Sequence, residues 1–145
     1  MITNWFMQLY KSRNIILRYN IASAILSVEW PTRKEPSISE VRQSLQVLVN
    51  YIRKYNIENL LLNESENVFL PHKAEYKLIV TQFKRALQST RIKRVARVMT
   101  SQIEREEAIK NLIKILEPEV VLRNFNTRTA AIAWLVGVKG VPDIS

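Results

Sequence analysis

A chain of 145 residues with 47% hydrophobic and 24% charged side chains has the size and composition of one domain around a single core. Two glycines, both near the C-terminus (Gly137 and Gly140), exclude a Walker loop and a GxGxxG turn, which need glycine to bring backbone N–H groups against phosphate. With no cysteine and a single histidine, His72, disulfides and His/Cys metal centres are excluded, while a net charge of +9 brings nucleic acid into consideration.

The N-terminal MITNWFMQLYKSRN has no basic n-region, long apolar h-region or small-residue cleavage site, so no signal peptide is expected. No apolar run approaches the roughly 20 residues that span a bilayer, and a cytoplasmic protein without a membrane span is the expectation. Residues 1–12 form an arm whose Trp5, Phe6, Met7, Leu9 and Tyr10 carry more apolar area than a free terminus should expose. Either the arm folds back as an extra strand, or it builds an isologous homodimer at the sheet edge.

After the polar break Lys11-Ser12-Arg13-Asn14, residues 15–19 and 24–30 read as two strands of a hairpin, although the turn Asn20-Ile21-Ala22-Ser23 lacks the favoured Asn-Gly. Pro31 and Pro36 bracket the next loop. Ser37 and Glu40 then have the spacing of a capping box, followed by Val41, Leu45, Leu48, Val49, Ile52 and Tyr55 at helical period, with Asn56 as the stop. Residues 57–62 suit a buried strand, and 63–71 form a loop. His72 follows Pro71 as a surface residue at a helix start.

That helix, 73–89, buries Tyr76, Ile79, Val80, Phe83 and Leu87, and a β-branched strand follows at 92–99. A helix over 102–116 places Ile109, Leu112, Ile113 and Leu116 on one side, offers Glu106–Lys110 as an i,i+4 pair, and ends at Pro118. A last strand, 120–125, leads to Asn126 or Thr127 as the cap of a final helix. Ala131, Trp134 and Leu135 of that helix face the core, and Gly137 stops it. The order predicts an α/β fold: a mixed, largely parallel five-stranded sheet with an N-terminal β-hairpin and four helices, which the arm can extend.

ILSVEW, a helix ending in YIRKYNIENLLLNES, IKRVARVMT and VVLRNFNTRTAAIAWL follow one another over about residues 13–136. This succession resembles the SpoIIAA-like branch of the STAS superfamily. It is more narrowly similar to compact bacterial STAS-like proteins that close with a strand, Phe-Asp/Asn-Ser/Thr and a helix carrying Ala-x-x-Trp-Leu. Phe125, Asn126, Thr127, Ala131, Trp134 and Leu135 match that ending. Beyond the stop at Gly137, residues 138–145 are expected to be a flexible tail. The resemblance implies a single STAS-like domain over 13–137 and a regulatory role exercised through an unidentified protein partner, non-catalytic because no catalytic constellation accompanies it. It implies no cofactor. Anti-sigma-factor antagonists of the family carry a phosphorylatable serine in an Asp-Ser-Ser-Gly-like stretch. The corresponding loop here lacks that signature and presents Ser65 between Glu64 and Glu66, where a phosphate meets like charge. STAS-like cores can also hold a cavity between sheet and helices, which implies a small apolar-ligand or lipid-binding domain as a further alternative.

Basic residues concentrate between positions 73 and 97. Lys73, Lys77, Lys84, Arg91, Lys93 and Arg94 make a candidate anion or nucleic-acid patch, the plainer reading being a solvated basic face. No RNP-type strand, KH loop or recognition-helix motif accompanies them. Arg97 falls in mid-strand where apolar residues belong, so it lies near an edge, pairs with a carboxylate or lines a pocket. The Glu64/Glu66 loop is the best-placed carboxylate pair for a ligand site, yet no nucleophile, base and oxyanion donor assemble around it. No catalytic, cofactor-binding or metal-ligating residue is assigned.

Overall fold

The computed structural model describes residues 5–31, 34–67, 70–71, 73–117 and 120–137. The polar break at 11–14 is the first turn: the Ser12 hydroxyl accepts from the backbone N–H groups of Asn14 and Ile15 at 3.2 and 3.1 Å and reverses the chain. The arm before it becomes β1 (Met7–Lys11), antiparallel to β2 (Ile16–Asn20). Among the described residues the sheet therefore has six strands rather than five. What holds β1 is burial: Leu9 and Tyr10 pack on the main core, Tyr10 with its ring centroid 5.9 Å from that of Tyr51. A register shift between Gln8 and Tyr10 makes the outer edge irregular, a device that discourages further pairing.

The hairpin from β2 to β3 (Ile25–Glu29) turns without glycine. Asn20, buried at its base, accepts from the Ser23 N–H at 3.0 Å and donates to the Trp5 carbonyl at 2.8 Å, while Ala24 takes the left-handed φ of 56°. The helix α1 (Ile38–Lys54) begins with both halves of the capping box, Glu40 N–H to Ser37 Oγ at 3.1 Å and Ser37 N–H to Glu40 Oε1 at 3.0 Å. It ends at Asn56, whose φ of 51° lets its own N–H reach the Arg53 carbonyl and that of Ile57 reach Ile52, the paired bonds of a Schellman motif.

Glu40 also accepts from Asn14 and Arg13, at 2.8 and 2.9 Å. The Ser37 N–H foremost, then the Asn14 amide and the Ser37 hydroxyl, pull its carboxyl down from 4.5 to about 2. A carboxyl lowered in the folded state contributes stability that is complete above pH 4.5 and is lost as pH falls toward 2. Glu40→Gln keeps an acceptor for the cap but cannot titrate. Its stability difference from the parent, followed by urea unfolding, should shrink across that window; a difference independent of pH there would contradict the role assigned to the charge.

β4 (Asn59–Asn63), β5 (Arg94–Val98) and β6 (Val121–Phe125) add in order beside β3, all parallel to it, so that three of the five strand pairings are parallel and two antiparallel. The crossovers always step the same way, so right-handed connections put α1, α2 (Glu75–Leu87) and α3 (Ile103–Leu116) on one face. There Leu48, Ile52, Leu87 and Leu116 meet Leu26, Val28, Leu60 and Val95. The other face receives α4 (Arg128–Leu135), capped by the Thr127 hydroxyl and stopped by Gly137 at φ 88°.

On that second face Ile25, Leu61, Ala96, Val98 and Phe125 meet Ala131, Ile132 and Leu135. Trp134, expected in the core, is only half-buried: it tilts against Phe125 at 5.7 Å while Arg123 covers its outer side. Val121 is 52% exposed, because among the described residues β6 has a neighbouring strand on one side only and α4 lies mainly across β5. Among the described residues no helix is long and apolar enough to cross a membrane. His72, Pro118 and the expected tail at 138–145 lie outside the described residues.

Candidate functional site

At the end of β4 the ladder persists one residue further, with the Glu64 N–H donating to the Val98 carbonyl at 3.0 Å. The chain then turns at once, Asn67 N–H reaching back to the Glu64 carbonyl at 3.0 Å. This tight turn drives Glu64 inward and leaves Ser65 and Glu66 exposed at its tip. The Ser65 hydroxyl donates to Asn63 Oδ1 at 2.8 Å, so the candidate phosphorylation loop is held by its own residues.

Glu64 enters a cluster of buried charge around Arg97. β5 is flanked by β4 and β6, so Arg97 is not an edge residue. Its side chain, 2% exposed, points toward α3. Nε donates to Glu64 at 2.8 Å; Nη1 and Nη2 clasp the two carboxylate oxygens of Glu106 at 2.7 and 2.6 Å; Nη1 also reaches Asn124 Oδ1 at 3.2 Å. Arg105 donates to Glu64 at 3.1 Å, and the Thr100 N–H to Glu106 at 3.2 Å. Burial alone pulls the Arg97 guanidinium down, but Glu64 and Glu106 together outweigh it and hold the group above its ordinary value. With all three nitrogens engaged, Arg97 is a fixed cation. It is not a proton donor or base.

The structure thus joins two of the three readings of Arg97, since the side chain is paired and also lines a groove of about 720 Å³ between α3 and β6. Lys110, Lys114, Val121 and Leu122 border the same groove. Glu106, expected as the surface partner of Lys110, turns inward instead, because two short charge-assisted bonds to a buried guanidinium outweigh an exposed i,i+4 pair worth about 0.2–0.5 kcal/mol.

The six basic positions singled out from the sequence do not form one patch. Lys73 precedes α2 and pairs with Glu35 at 3.8 Å, and Lys77 lies in the first turns of α2. Lys84, Arg91, Lys93 and Arg94 sit at the opposite end, where α2 finishes and β5 begins. Arg53 and Lys54 of α1 join them, Arg53 reaching Ser89 at 2.7 Å, as do Arg85 and Lys114. Against these stand Glu58, paired with Lys93 at 3.0 Å, and Glu117, among the described residues at this end.

No protein-family model matches the chain, and neither the curated proteins nor the solved structures contain a match.

Sequence reasoning singled out Glu64 and Arg97 but missed Arg105, Glu106 and Asn124 as their partners. One signal was available for Arg105. A cation in the first turn of a helix opposes the helix dipole, and such a residue needs a carboxylate elsewhere to hold it. Glu29 and Glu35 lie outside the cluster, Glu29 with Arg18 at 2.6 Å. No group of three or more His, Cys, Asp or Glu side chains comes together among the described residues.

Proposed function

We propose that this chain is a STAS-like protein-interaction or regulatory domain without catalytic activity, in which an extended segment of a protein partner adds beside β6. One observation carries the reading: β6 pairs only with β5 among the described residues, and its open side faces the 720 Å³ groove under α3. The order of elements and the closing Phe125-Asn126-Thr127 with Ala131, Trp134 and Leu135 support the STAS-like reading. The charged groups at the carboxyl end of the sheet support a non-catalytic role, because they are spent on one another. Val121 projects from the edge with little burial to lose. A protein captured from the native host by the parent chain and lost with Val121→Glu supports strand addition; capture that survives this substitution, or none at all, rejects it.

The cation-rich end favours a second reading, a nucleic-acid-associated protein. Arg53, Lys54, Arg85, Arg91, Lys93 and Arg94 share one end of the molecule, where a polyanion can neutralise several of them at once. Binding of this kind should weaken steeply with salt in gel shifts. Arg91→Glu with Arg94→Glu should lower affinity at least about tenfold for any sequence and flatten the salt slope. Binding indifferent to salt, or unaffected by both substitutions, would remove this reading while leaving the first intact.

A further inference from the structure

At the carboxyl ends of β3 and β4, between the sheet and the three crossover helices, lies a cavity of about 160 Å³. Its walls are apolar, with Trp30, Leu45, Val80 and Leu112 on different sides. Tyr76 and Asn14 also line it, and each holds a buried polar atom without a hydrogen-bond partner, the Tyr76 hydroxyl and Asn14 Oδ1. Tyr76 is 5% exposed. The Asn14 amide is oriented by its Nδ2, which donates to Glu40 at 2.8 Å, so the oxygen left over is an acceptor. Burial, helped by Glu35, pushes the Tyr76 phenol up to about 12, and at neutral pH it keeps its proton and can donate.

Buried polar groups are satisfied in native proteins almost without exception, so two orphans on one cavity ask for a group that serves both. A hydroxyl accepts one bond and donates another. A carboxylate can accept from Tyr76, but it is repelled by the Asn14 oxygen, and Arg105, the cation on the cavity wall, is already opposed by Glu64 at 3.1 Å. An ammonium finds no spare counter-charge, because Glu64, the carboxylate on the cavity wall, is held by Arg97 and Arg105. An apolar cavity of about 150 Å³ accommodates benzene, which sets the size at one ring or a comparable alkyl chain. We propose that this cavity binds a small neutral alcohol or phenol, whose hydroxyl accepts from Tyr76 and donates to Asn14 while its hydrocarbon part fills the space beneath Leu45, Val80 and Leu112.

Titration of the full chain with phenol, cyclohexanol and benzene, followed by amide chemical shifts, tests the assignment. The parent should bind phenol and cyclohexanol about tenfold more tightly than benzene, the ratio expected for one added pair of hydrogen bonds. Tyr76→Phe removes a hydroxyl that has no partner in the free protein, so the fold should tolerate it; the variant should lose the preference for the alcohols and keep its affinity for benzene. Val80→Phe, which fills the cavity, should abolish binding of all three. The proposal is overturned if phenol at millimolar concentration leaves the shifts unmoved, or if Tyr76→Phe retains the tenfold preference. Phenol-soaked crystals that show only water between Tyr76 and Asn14 overturn it as well.

Discussion

Replacing Arg97 with alanine should lower the stability of this chain by about 3–5 kcal/mol, a large share of the roughly 5–15 kcal/mol that holds a domain together. The loss comes from what remains. Without the guanidinium, Glu106 loses the group that clasps both its oxygens and Glu64 keeps only Arg105, all at a position 2% exposed in the parent. The deficit is read by urea unfolding at neutral pH. Removing the whole cluster should cost far less. A variant with Arg97→Met, Glu64→Leu, Arg105→Met and Glu106→Leu replaces charges by side chains of similar volume, and such replacements are commonly neutral or stabilising. If Arg97→Ala alone costs under about 1 kcal/mol, water reaches the cluster and it behaves as a surface ion pair rather than a dry one.

The second large effect lies on the opposite face. Phe125 is fully buried under α4, and Phe125→Ala should cost about 3–5 kcal/mol through lost transfer energy and the cavity left behind. Trp134→Ala should cost less, roughly 1–3 kcal/mol, since the indole is half-buried and part of its surface already meets water and Arg123. The order of the two losses is the informative measurement. A loss at Trp134 equal to that at Phe125 would mean that α4 docks by its tryptophan, with Ala131, Ile132 and Leu135 secondary.

Local signals were legible without the fold. Ser37 and Glu40 announce the start of α1, Asn56 its stop, Thr127 and Gly137 the bounds of α4, because each acts within a few residues through a hydrogen bond or a left-handed φ. The periodic apolar residues of Leu48, Ile52, Ile79 and Leu87 likewise declare a buried helical face from sequence spacing alone. Even the arm was readable as far as its excess of apolar area, which had to be covered by something.

What covers it, and what each buried charge touches, was decided only in three dimensions. β1 became a sixth strand because Tyr51 and the core beneath α1 lie within reach once the sheet has formed. Trp134 reached the rim because α4 crosses β5 more than β6, a docking angle that spacing along one helix does not encode. Arg97, Glu64 and Glu106 come from a strand, a turn and a helix, and Arg105 stands beside Glu106 in a direction no periodicity requires. Pairing across a fold depends on distances between elements, and those follow from the order β1-β2-β3-β4-β5-β6 and the common face of α1, α2 and α3. By itself the sequence determined the order of four helices and five strands and the bounds of α1 and α4, since caps and apolar period act over a few residues. The tertiary structure decided which side chains meet, because burial in a shared core makes an unpaired charge or hydroxyl costly and so selects the partners.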